Sequence, residues 1–240
     1  MPNGTAMTTA FDNLLEGIAS SPLPSTRPWI TVAYAQSLDG SLAGPQGARL
    51  RLSGDESLTL THRLRSAHDS ILVGVGTILA DDPQLTLRLA SGLQPQPIVL
   101  DSRLRTPPHA AILRHPRPVW LAAGPDASAV NAKALCQAGA VILTIPLSPS
   151  NHIDLPALFT HVRQRGVQRV MVEGGASVIS ALVADRLVDL FVLTLAPMIV
   201  GGLRPFLATN SHPLAIMSHP SWAQAGDDML VWGSPEWPRK

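Results

Sequence analysis

The sequence predicts an α/β protein with a mostly parallel β-sheet. Short apolar runs, typical of buried parallel strands, alternate along the chain with helix-like segments of about a dozen residues. Two of the helix-like segments are followed by a glycine, Gly139 and Gly166, and glycine is favoured just after the end of a helix. The last two predicted strands have no helix between them, so we expect the sheet to be antiparallel at that end.

The predicted elements follow one another in a regular order. The first helix after the first strand has Ser53 as its predicted N-cap and a single apolar face, which consists of Leu58, Leu60, Thr61 and Leu64. The predicted strands lie at 29–35, 70–75, 97–101, 118–123, 140–145, 169–172, 188–196 and 229–232. The predicted helices lie at 54–67, 127–138, 154–165 and 176–184.

One domain, residues 28–234, is predicted to hold these elements. A chain of 240 residues is compatible with one large domain. Residues 1–27 are predicted to be an N-terminal extension that ends in a linker rich in proline and serine, and residues 235–240 a C-terminal tail. A short amphipathic helix in the extension is indicated by the helical spacing of Phe11, Leu14, Leu15 and Ile18.

Composition and charge exclude several classes of function. The net charge is +1, which is not the basic excess of proteins that bind nucleic acid or membrane surfaces. The most apolar stretch, 190–203, is shorter than the roughly 20 residues of a membrane span. The N-terminus lacks the pattern of a signal peptide. We therefore expect a cytoplasmic protein without a nucleic-acid or membrane partner.

Cysteine and histidine usage predicts no metal site. Cys136 is the one cysteine of the sequence, which rules out an intrachain disulfide and a cysteine-based zinc site. Because it lies in a stretch rich in alanine and leucine, we expect it to be buried. The eight histidines show no spacing typical of metal ligands.

Two glycine-rich turns connect a predicted strand to a helix. The first includes Gly74, Gly76 and Thr77, and the second runs from Glu173 to Ser177. Glycine lets a ligand approach the backbone closely, and N–H groups at a helix start bind phosphate. The alternative for the first turn is a tight turn without a ligand, since position 79 is leucine and the dinucleotide-binding fingerprint is incomplete. The alternative for Glu173 is a residue that only favours the helix start.

Polar residues follow two of the predicted strands. The segment 77–88 carries the adjacent Asp81 and Asp82 and ends at Arg88, whose guanidinium is suited to a phosphate. Its position at the carboxyl end of a strand favours a ligand site, although a solvated loop is the alternative. Ser102 follows another strand, where it either contacts a cofactor phosphate or caps a turn.

Taken together, these motifs resemble the pyrimidine reductases of riboflavin biosynthesis. This family forms the C-terminal half of the bifunctional bacterial deaminase-reductase and also occurs as a stand-alone enzyme. The residues of the first block of resemblance, 31–40, are more similar to the stand-alone enzymes. The resemblance covers about 29–233, and its blocks, in the expected order, are 31–40 (TVAYAQSLDG), 71–83 (ILVGVGTILADDP), 98–102 (IVLDS), 172–175 (VEGG) and 187–189 (LVD), the last followed by 196–197 (AP) and 201–202 (GG).

The resemblance implies a fold, a reaction and partners. The fold is the dihydrofolate-reductase-like, three-layer α/β/α arrangement with a mixed, mostly parallel central sheet. The reaction is the NADPH-dependent reduction of a ribosylaminopyrimidine 5′-phosphate to its ribitylamino form. Members commonly form homodimers. A separate deaminase is expected, because residues 1–27 are too few to hold that domain.

The resemblance also assigns site residues. Those expected around NADPH, with the glycines of the first turn included, are Gly74, Gly76, Thr77, Asp81, Ser102, Gly174, Gly175, Ala176 and Ser177. Those expected on the substrate side are Arg65, Leu85, Arg88 and Glu173, with both arginines as candidate phosphate ligands. The carboxylates of Asp81 and Glu173 are the candidate catalytic groups. No metal ligand is implied.

One departure from the family leaves two other functions open. Many bifunctional members have lysine in the first strand, where this chain has Ala33. The first alternative is another NADPH reductase of the same fold, acting on a pterin, dihydrofolate, or a small carbonyl or imine. The second is a non-catalytic nucleotide-binding protein. A phosphorylated substrate requires the pair Arg65 and Arg88, whereas dihydrofolate does not.

Overall fold

Nine strands form one mixed sheet within the residues that the computed structural model describes, 3–205 and 215–237. They are β1 (Trp29–Ser37), β2 (Ser70–Gly74), β3 (Gln96–Leu100), β4 (Trp120–Ala123), β5 (Val141–Thr144), β6 (Arg169–Gly174), β7 (Leu190–Ala196), β8 (Ile216–Ala225) and β9 (Asp228–Glu236). Their order across the sheet is β5-β4-β3-β2-β6-β1-β7-β9-β8. Strands β1 to β7 are parallel to one another, and β9 is antiparallel to both β7 and β8.

Helices cover both faces of this sheet. They are α1 (Asn3–Ser20), α2 (Asp55–Ser66), α3 (Val75–Asp81), α4 (Ala129–Gln137), α5 (Leu155–Gln164) and α6 (Ala176–Ala184). Side chains alternate between the faces, so Leu72 packs with α5 and α6 while Ile71 and Val73 pack with α3 and α4. Helices α1 and α2 cover the same face as α3 and α4, over the other half of the sheet.

The structure confirms the predicted fold class. The architecture has three layers, α/β/α, and the sheet is mixed and mostly parallel, with the expected antiparallel end. Each predicted strand and helix begins within two residues of its observed start. The agreement is best for strands such as β2, because a strand buried on both faces needs an uninterrupted apolar run.

The structure adds two elements that the sequence did not predict. Helix α3 spans seven residues, three of them within a glycine-rich turn, and such a sequence has low helix propensity. Strand β8 is mostly exposed, contains Pro220, and shifts register between Ser218 and Ser221, so it lacks an alternating apolar pattern. Strand β9 extends to Glu236, past the predicted domain end at residue 234.

Two local predictions were wrong. Cys136 is exposed, because Leu135 is the α4 residue that faces the core. The N-cap of α2 is Gly54 rather than Ser53. Asp228, at the start of β9, accepts hydrogen bonds from Gly54 N at 2.8 Å and from the Ser57 hydroxyl, so a carboxylate distant in the sequence caps this helix.

Helix α1 packs against the body of the protein. Its side chains Phe11, Leu14 and Ile18 are buried in the apolar cluster between the sheet and α2, which confirms the predicted amphipathic face. Arg169 donates hydrogen bonds to the carbonyls of Ile18 (2.8 Å) and Ala19 (2.7 Å), which satisfies the carboxyl end of the helix. Within residues 3–205 and 215–237, no helix is long and apolar enough to cross a membrane.

Candidate active site

The carboxyl ends of β2 and β6 lie side by side near the centre of the sheet, where Val73 pairs with Gly174. The chain leaves these strands toward opposite faces, as α3 after β2 and as α6 after β6. Such a divergence opens a crevice at the carboxyl edge of a sheet, where ligands of α/β proteins bind. Both glycine-rich turns of the sequence border this crevice.

The two glycine-rich turns touch each other. A Cβ atom on Gly175 would lie 3.3 Å from Thr77 Oγ1, and one on Gly74 would lie 2.8 Å from Val178 Cγ2. Gly74 is therefore needed for close packing of the two turns. A Cβ atom on Gly76 would meet no atom within 4 Å, so the backbone there borders open space. Gly174 has φ of +121°, a conformation that favours glycine, and its peptide bond to Gly175 is cis.

A buried ion pair lies beside the second turn. Arg65, in the last turn of α2, donates from Nε to Glu173 Oε1 at 2.6 Å and from Nη2 to Glu173 Oε2 at 2.8 Å. The two side chains are 10% and 16% exposed. Arg65 Nη1 also donates to the carbonyl of Thr86 at 2.9 Å. Burial opposes the charge of Arg65, but the Glu173 carboxylate more than offsets it, so the pKa of Arg65 is raised.

A cavity of about 200 Å³ adjoins this ion pair. Its wall is mostly apolar and is formed by Phe11, Ala33, Tyr34, Ala35, Leu58, Leu60, Leu64, Val192 and Leu230. Its polar lining consists of Ser53, Thr61, Arg65, Glu173 and Thr194. Burial raises the pKa of Tyr34 to about 12, so its hydroxyl stays neutral. A mostly apolar cavity with a few polar groups at one end is typical of a site for a small ring-containing ligand.

His62 is a site residue that the sequence did not indicate. It is fully buried on α2, three residues before Arg65, and its Nδ1 accepts a hydrogen bond from Arg88 N at 3.1 Å. Burial, with the charges of Arg65 and Arg88, lowers the pKa of His62 to about 4. The neutral ring therefore joins α2 to the loop that carries Arg88. The signal for His62 in the sequence was its spacing from Arg65, because residues three apart lie on the same face of a helix.

Of the predicted site residues at the end of α3 and in the following loop, some lie at the surface and others in the core. The Asp81 carboxylate is 41% exposed and lies 3.9 Å from Arg49 Nε. Asp82 Oδ1 instead accepts a hydrogen bond from Ala111 N at 2.7 Å, which gives Asp82 a structural function. Leu85 is buried in the apolar core. Arg88 is exposed, and its Nη1 donates to Gln84 Oε1 at 3.0 Å.

Ser102 lies just after β3, the strand next to β2 on the side away from β6. Its turn is organised by the preceding Asp101, which is fully buried. Asp101 accepts hydrogen bonds from Arg105 N at 2.8 Å and from Thr106 N and Oγ1, both at 2.7 Å. Ser102 itself is half-buried at the carboxyl edge, where its side chain is available to a ligand.

Asp39 joins the two loops that follow β1 and β7. The carboxylate accepts hydrogen bonds from the hydroxyls of Ser37 (2.5 Å) and Ser41 (2.9 Å) and from the N–H groups of Val200 (3.0 Å) and Gly201 (2.8 Å). These bonds hold the pKa of Asp39 far below its usual range. We refer to residues 37–44 and 197–204 as the paired loops. In the sequence, Asp39 stands out only as part of the block 31–40.

The residues at the crevice fit a phosphorylated dinucleotide. Open space beside Gly76 lets a phosphate reach the backbone. Helix α6 begins at Ala176, and Val178 N already donates to the Gly175 carbonyl at 3.0 Å, so the first-turn N–H groups of Ala176 and Ser177 are the ones suited to an anion. Ser177 is exposed, and Thr77 is half-buried beside Gly175. The hydroxyls of Ser177 and Thr77 are hydrogen-bond donors of the kind that a phosphorylated dinucleotide requires.

Fold and site together define an α/β protein with a candidate ligand-binding crevice at the carboxyl edge of its sheet. Residues 28–231 match the family model of the RibD C-terminal domain. The chain belongs to this family, as its sequence motifs predicted.

Curated relatives include the 2,5-diamino-6-ribosylamino-4(3H)-pyrimidinone 5′-phosphate reductases of Archaeoglobus fulgidus and Eremothecium gossypii. The first is 34% identical over 73% of this chain and 83% of that protein. The second is 30% identical over 92% of this chain and 94% of that protein. The riboflavin biosynthesis reductase Rib7 of Saccharomyces cerevisiae is a structural relative, with a TM-score of 0.74 and 25% identity over 93% of this chain and 98% of that chain.

Proposed function

We propose that the protein is the NADPH-dependent reductase that converts a ribosylaminopyrimidine 5′-phosphate to its ribitylamino form in riboflavin biosynthesis. The observation that carries the proposal is the Arg65–Glu173 ion pair, which ends a small apolar cavity beside the two glycine-rich turns. Relatives at 30–35% identity over most of the chain are named as this reductase.

The cofactor assigned to the crevice is NADPH, which supplies a hydride when bound. The residues suited to hold its phosphates and ribose are those of the two turns and their surroundings: Gly76, Thr77, Asp81, Ser102, Gly175, Ala176 and Ser177. The hydride acceptor is C1′ of the substrate sugar in its opened form. The protein's contribution is to hold that carbon next to the cofactor in a site with little water.

The structure supports different functions for the two arginines. The guanidinium of Arg65 binds Glu173 and the Thr86 carbonyl, so we assign it to orienting the Glu173 carboxylate toward the substrate. Arg88 is exposed, and its guanidinium is bonded to the neutral Gln84. We therefore assign the substrate phosphate to Arg88, which can form bidentate hydrogen bonds with it.

The variant Arg88→Ala tests this assignment. We expect KM for the phosphorylated substrate to rise by about tenfold to a hundredfold, the loss of about 1.5–3 kcal/mol that a hydrogen bond to a charged group provides. Lys133→Ala removes a cation from the exposed surface of α4 and is the matched control. Steady-state kinetics at saturating NADPH measure both variants. An unchanged KM in Arg88→Ala would place the phosphate elsewhere.

The variant Gly76→Ala tests the cofactor position. The added methyl group meets no protein atom within 4 Å, so the free energy of unfolding should not fall. The methyl group would occupy the space assigned to NADPH, and we expect its Kd to rise by about tenfold. Gly17→Ala in α1, also without a neighbour within 4 Å, is the control. Equal NADPH affinity in all three proteins, measured by calorimetry, would exclude close approach at Gly76.

We also propose that the protein forms a cytoplasmic homodimer through its β8–β9 hairpin. Strand β8 lies at one edge of the sheet, and Ile216, Trp222 and Met229 of the hairpin are exposed. An exposed edge with large apolar side chains is suited to pairing with a second copy.

The RibD protein of Chlamydia pneumoniae is 31% identical over 80% of this chain but only 54% of its own length. We further propose that a deaminase catalyses the neighbouring step.

The proposed function is tested by NADPH oxidation with purified protein. The substrates are the aminated and the deaminated ribosylaminopyrimidine 5′-phosphate, with dihydrofolate in parallel. We expect turnover with one of the two phosphates and none with dihydrofolate. Turnover of dihydrofolate alone would identify a different reductase. NADPH binding without turnover of any substrate would indicate a non-catalytic nucleotide-binding protein.

A further inference from the structure

Helix α1 contributes a side chain to the candidate substrate cavity. The match to the family model begins at residue 28, after this helix, and the sequence indicated an extension outside the main domain. Phe11 nevertheless lines the cavity that contains Arg65 and Glu173. Part of the cavity wall is therefore supplied by a segment that the matched residues do not include.

Phe11 is held firmly in that wall. Its side chain is 1% exposed and packs in the apolar cluster that also contains Leu64 of α2 and Leu230 of β9. The guanidinium of Arg63 lies 5.3 Å from the centre of the Phe11 ring and forms an ion pair with Asp12, the next residue of α1. These contacts fix the ring from both α1 and α2 and leave it little freedom to move.

Phe11 and the Arg65–Glu173 ion pair line the same cavity. Arg65 and Glu173 are mostly buried, and electrostatic interactions strengthen when water is excluded. The cavity is small, about 200 Å³, and the Phe11 ring, 1% exposed, fills the space directly behind its wall. Loss of that ring would both enlarge the cavity and admit water to the ion pair.

We propose that Phe11 determines substrate affinity by setting the size of the cavity that holds the pyrimidine ring of the substrate. This inference rests on the proposed function, because it takes the cavity to be the substrate site. The lining of the cavity supports a flat, polar-edged ring as the occupant: apolar side chains surround the cavity, and Glu173 with Thr61 and Thr194 offers hydrogen-bonding groups. Helix α1 is then part of the active site.

The test compares Phe11→Ala with two other variants. Phe11→Leu keeps an apolar side chain of intermediate size. Ile18→Ala shortens another fully buried side chain of α1, in the same cluster but outside this cavity. We expect Phe11→Ala to raise KM for the pyrimidine phosphate by about tenfold, with KM for NADPH unchanged. Phe11→Leu should recover most of the affinity, and Ile18→Ala should lower the Tm without changing either KM.

Each outcome separates the inference from the proposed function. Wild-type turnover with an unchanged substrate KM in Phe11→Ala would overturn the inference and leave the proposed function intact. An equal rise of KM in Phe11→Ala and Ile18→Ala would also overturn it, because α1 would then act through stability alone. If Phe11→Ala does not fold, Phe11→Leu decides, with an expected KM rise of about threefold. Absence of wild-type turnover would overturn both.

Discussion

The variant Glu173→Gln should lose nearly all reductase activity and part of its stability. The carboxylate binds Arg65 through both oxygens, whereas an amide retains one acceptor and turns a donor toward the guanidinium. A buried cation that loses its partner costs about 3 kcal/mol or more. We expect kcat/KM to fall by at least about a hundredfold, an effect of about 2.7 kcal/mol. Urea unfolding and NADPH oxidation measure the two effects.

An exposed ion pair at the start of α2, the helix that carries Arg65, provides the control for Glu173→Gln. Arg51 and Asp55 form a pair at the start of α2, with side chains that are 65% and 88% exposed. Such surface pairs contribute little to stability, so Asp55→Asn should change neither unfolding nor activity. Full activity in Glu173→Gln would mean that Glu173 only supports the start of α6. A loss of stability without a loss of activity would limit the ion pair to a structural function.

The variant Gly202→Ala should disrupt the paired loops. A Cβ atom at this position would lie 1.9 Å from the Ala43 carbonyl oxygen and 2.8 Å from the Gly44 carbonyl carbon, so the two loops would have to separate. Separation would break the hydrogen bonds that Val200 N and Gly201 N donate to the Asp39 carboxylate. Because these contacts are to backbone, we expect a loss of about 3 kcal/mol of unfolding free energy.

Reductase activity should also fall when the paired loops are disrupted. They follow β1 and β7, and β1 lies next to β6, the strand that carries Glu173. Gly202→Ala is therefore expected to lower kcat as well as Tm, while Gly17→Ala, where an added Cβ meets no atom within 4 Å, should leave both unchanged. Thermal unfolding and steady-state kinetics provide the comparison. A Tm within about 1 °C of wild type in Gly202→Ala would contradict the close contact.

The sequence predicted the fold where the physical signal is local. Strand β2 needs a continuous apolar run because both faces are buried, and the end of α4 is marked by Gly139. Strand β8 is exposed and irregular, so its signal lies in its pairing with β9 and not in its own residues. The burial of Cys136 was predicted from neighbouring residue types, but helix rotation determines which α4 residue faces the core.

The candidate site shows the same division between local and distant contacts. Glycine-rich turns after strands are readable in the sequence, and the structure brings both of them to one crevice. The Arg65–Glu173 ion pair joins residues that are 108 positions apart, and no local pattern specifies it. Phe11 comes to the cavity from a helix that the sequence placed outside the main domain. Such contacts follow from tertiary packing. Composition and residue spacing do not specify which distant residues will meet.

We expect a sugar carbon of the bound pyrimidine phosphate to be reduced in this crevice. The most direct measurement uses NADPH deuterated at nicotinamide C4 on the transferred face, with mass spectrometry of the product. The product should be the ribitylamino pyrimidine phosphate with one deuterium at C1′, and Glu173→Gln should form almost none of it. A product without deuterium at C1′, or deuterium transfer to dihydrofolate in place of the pyrimidine phosphate, would contradict the account.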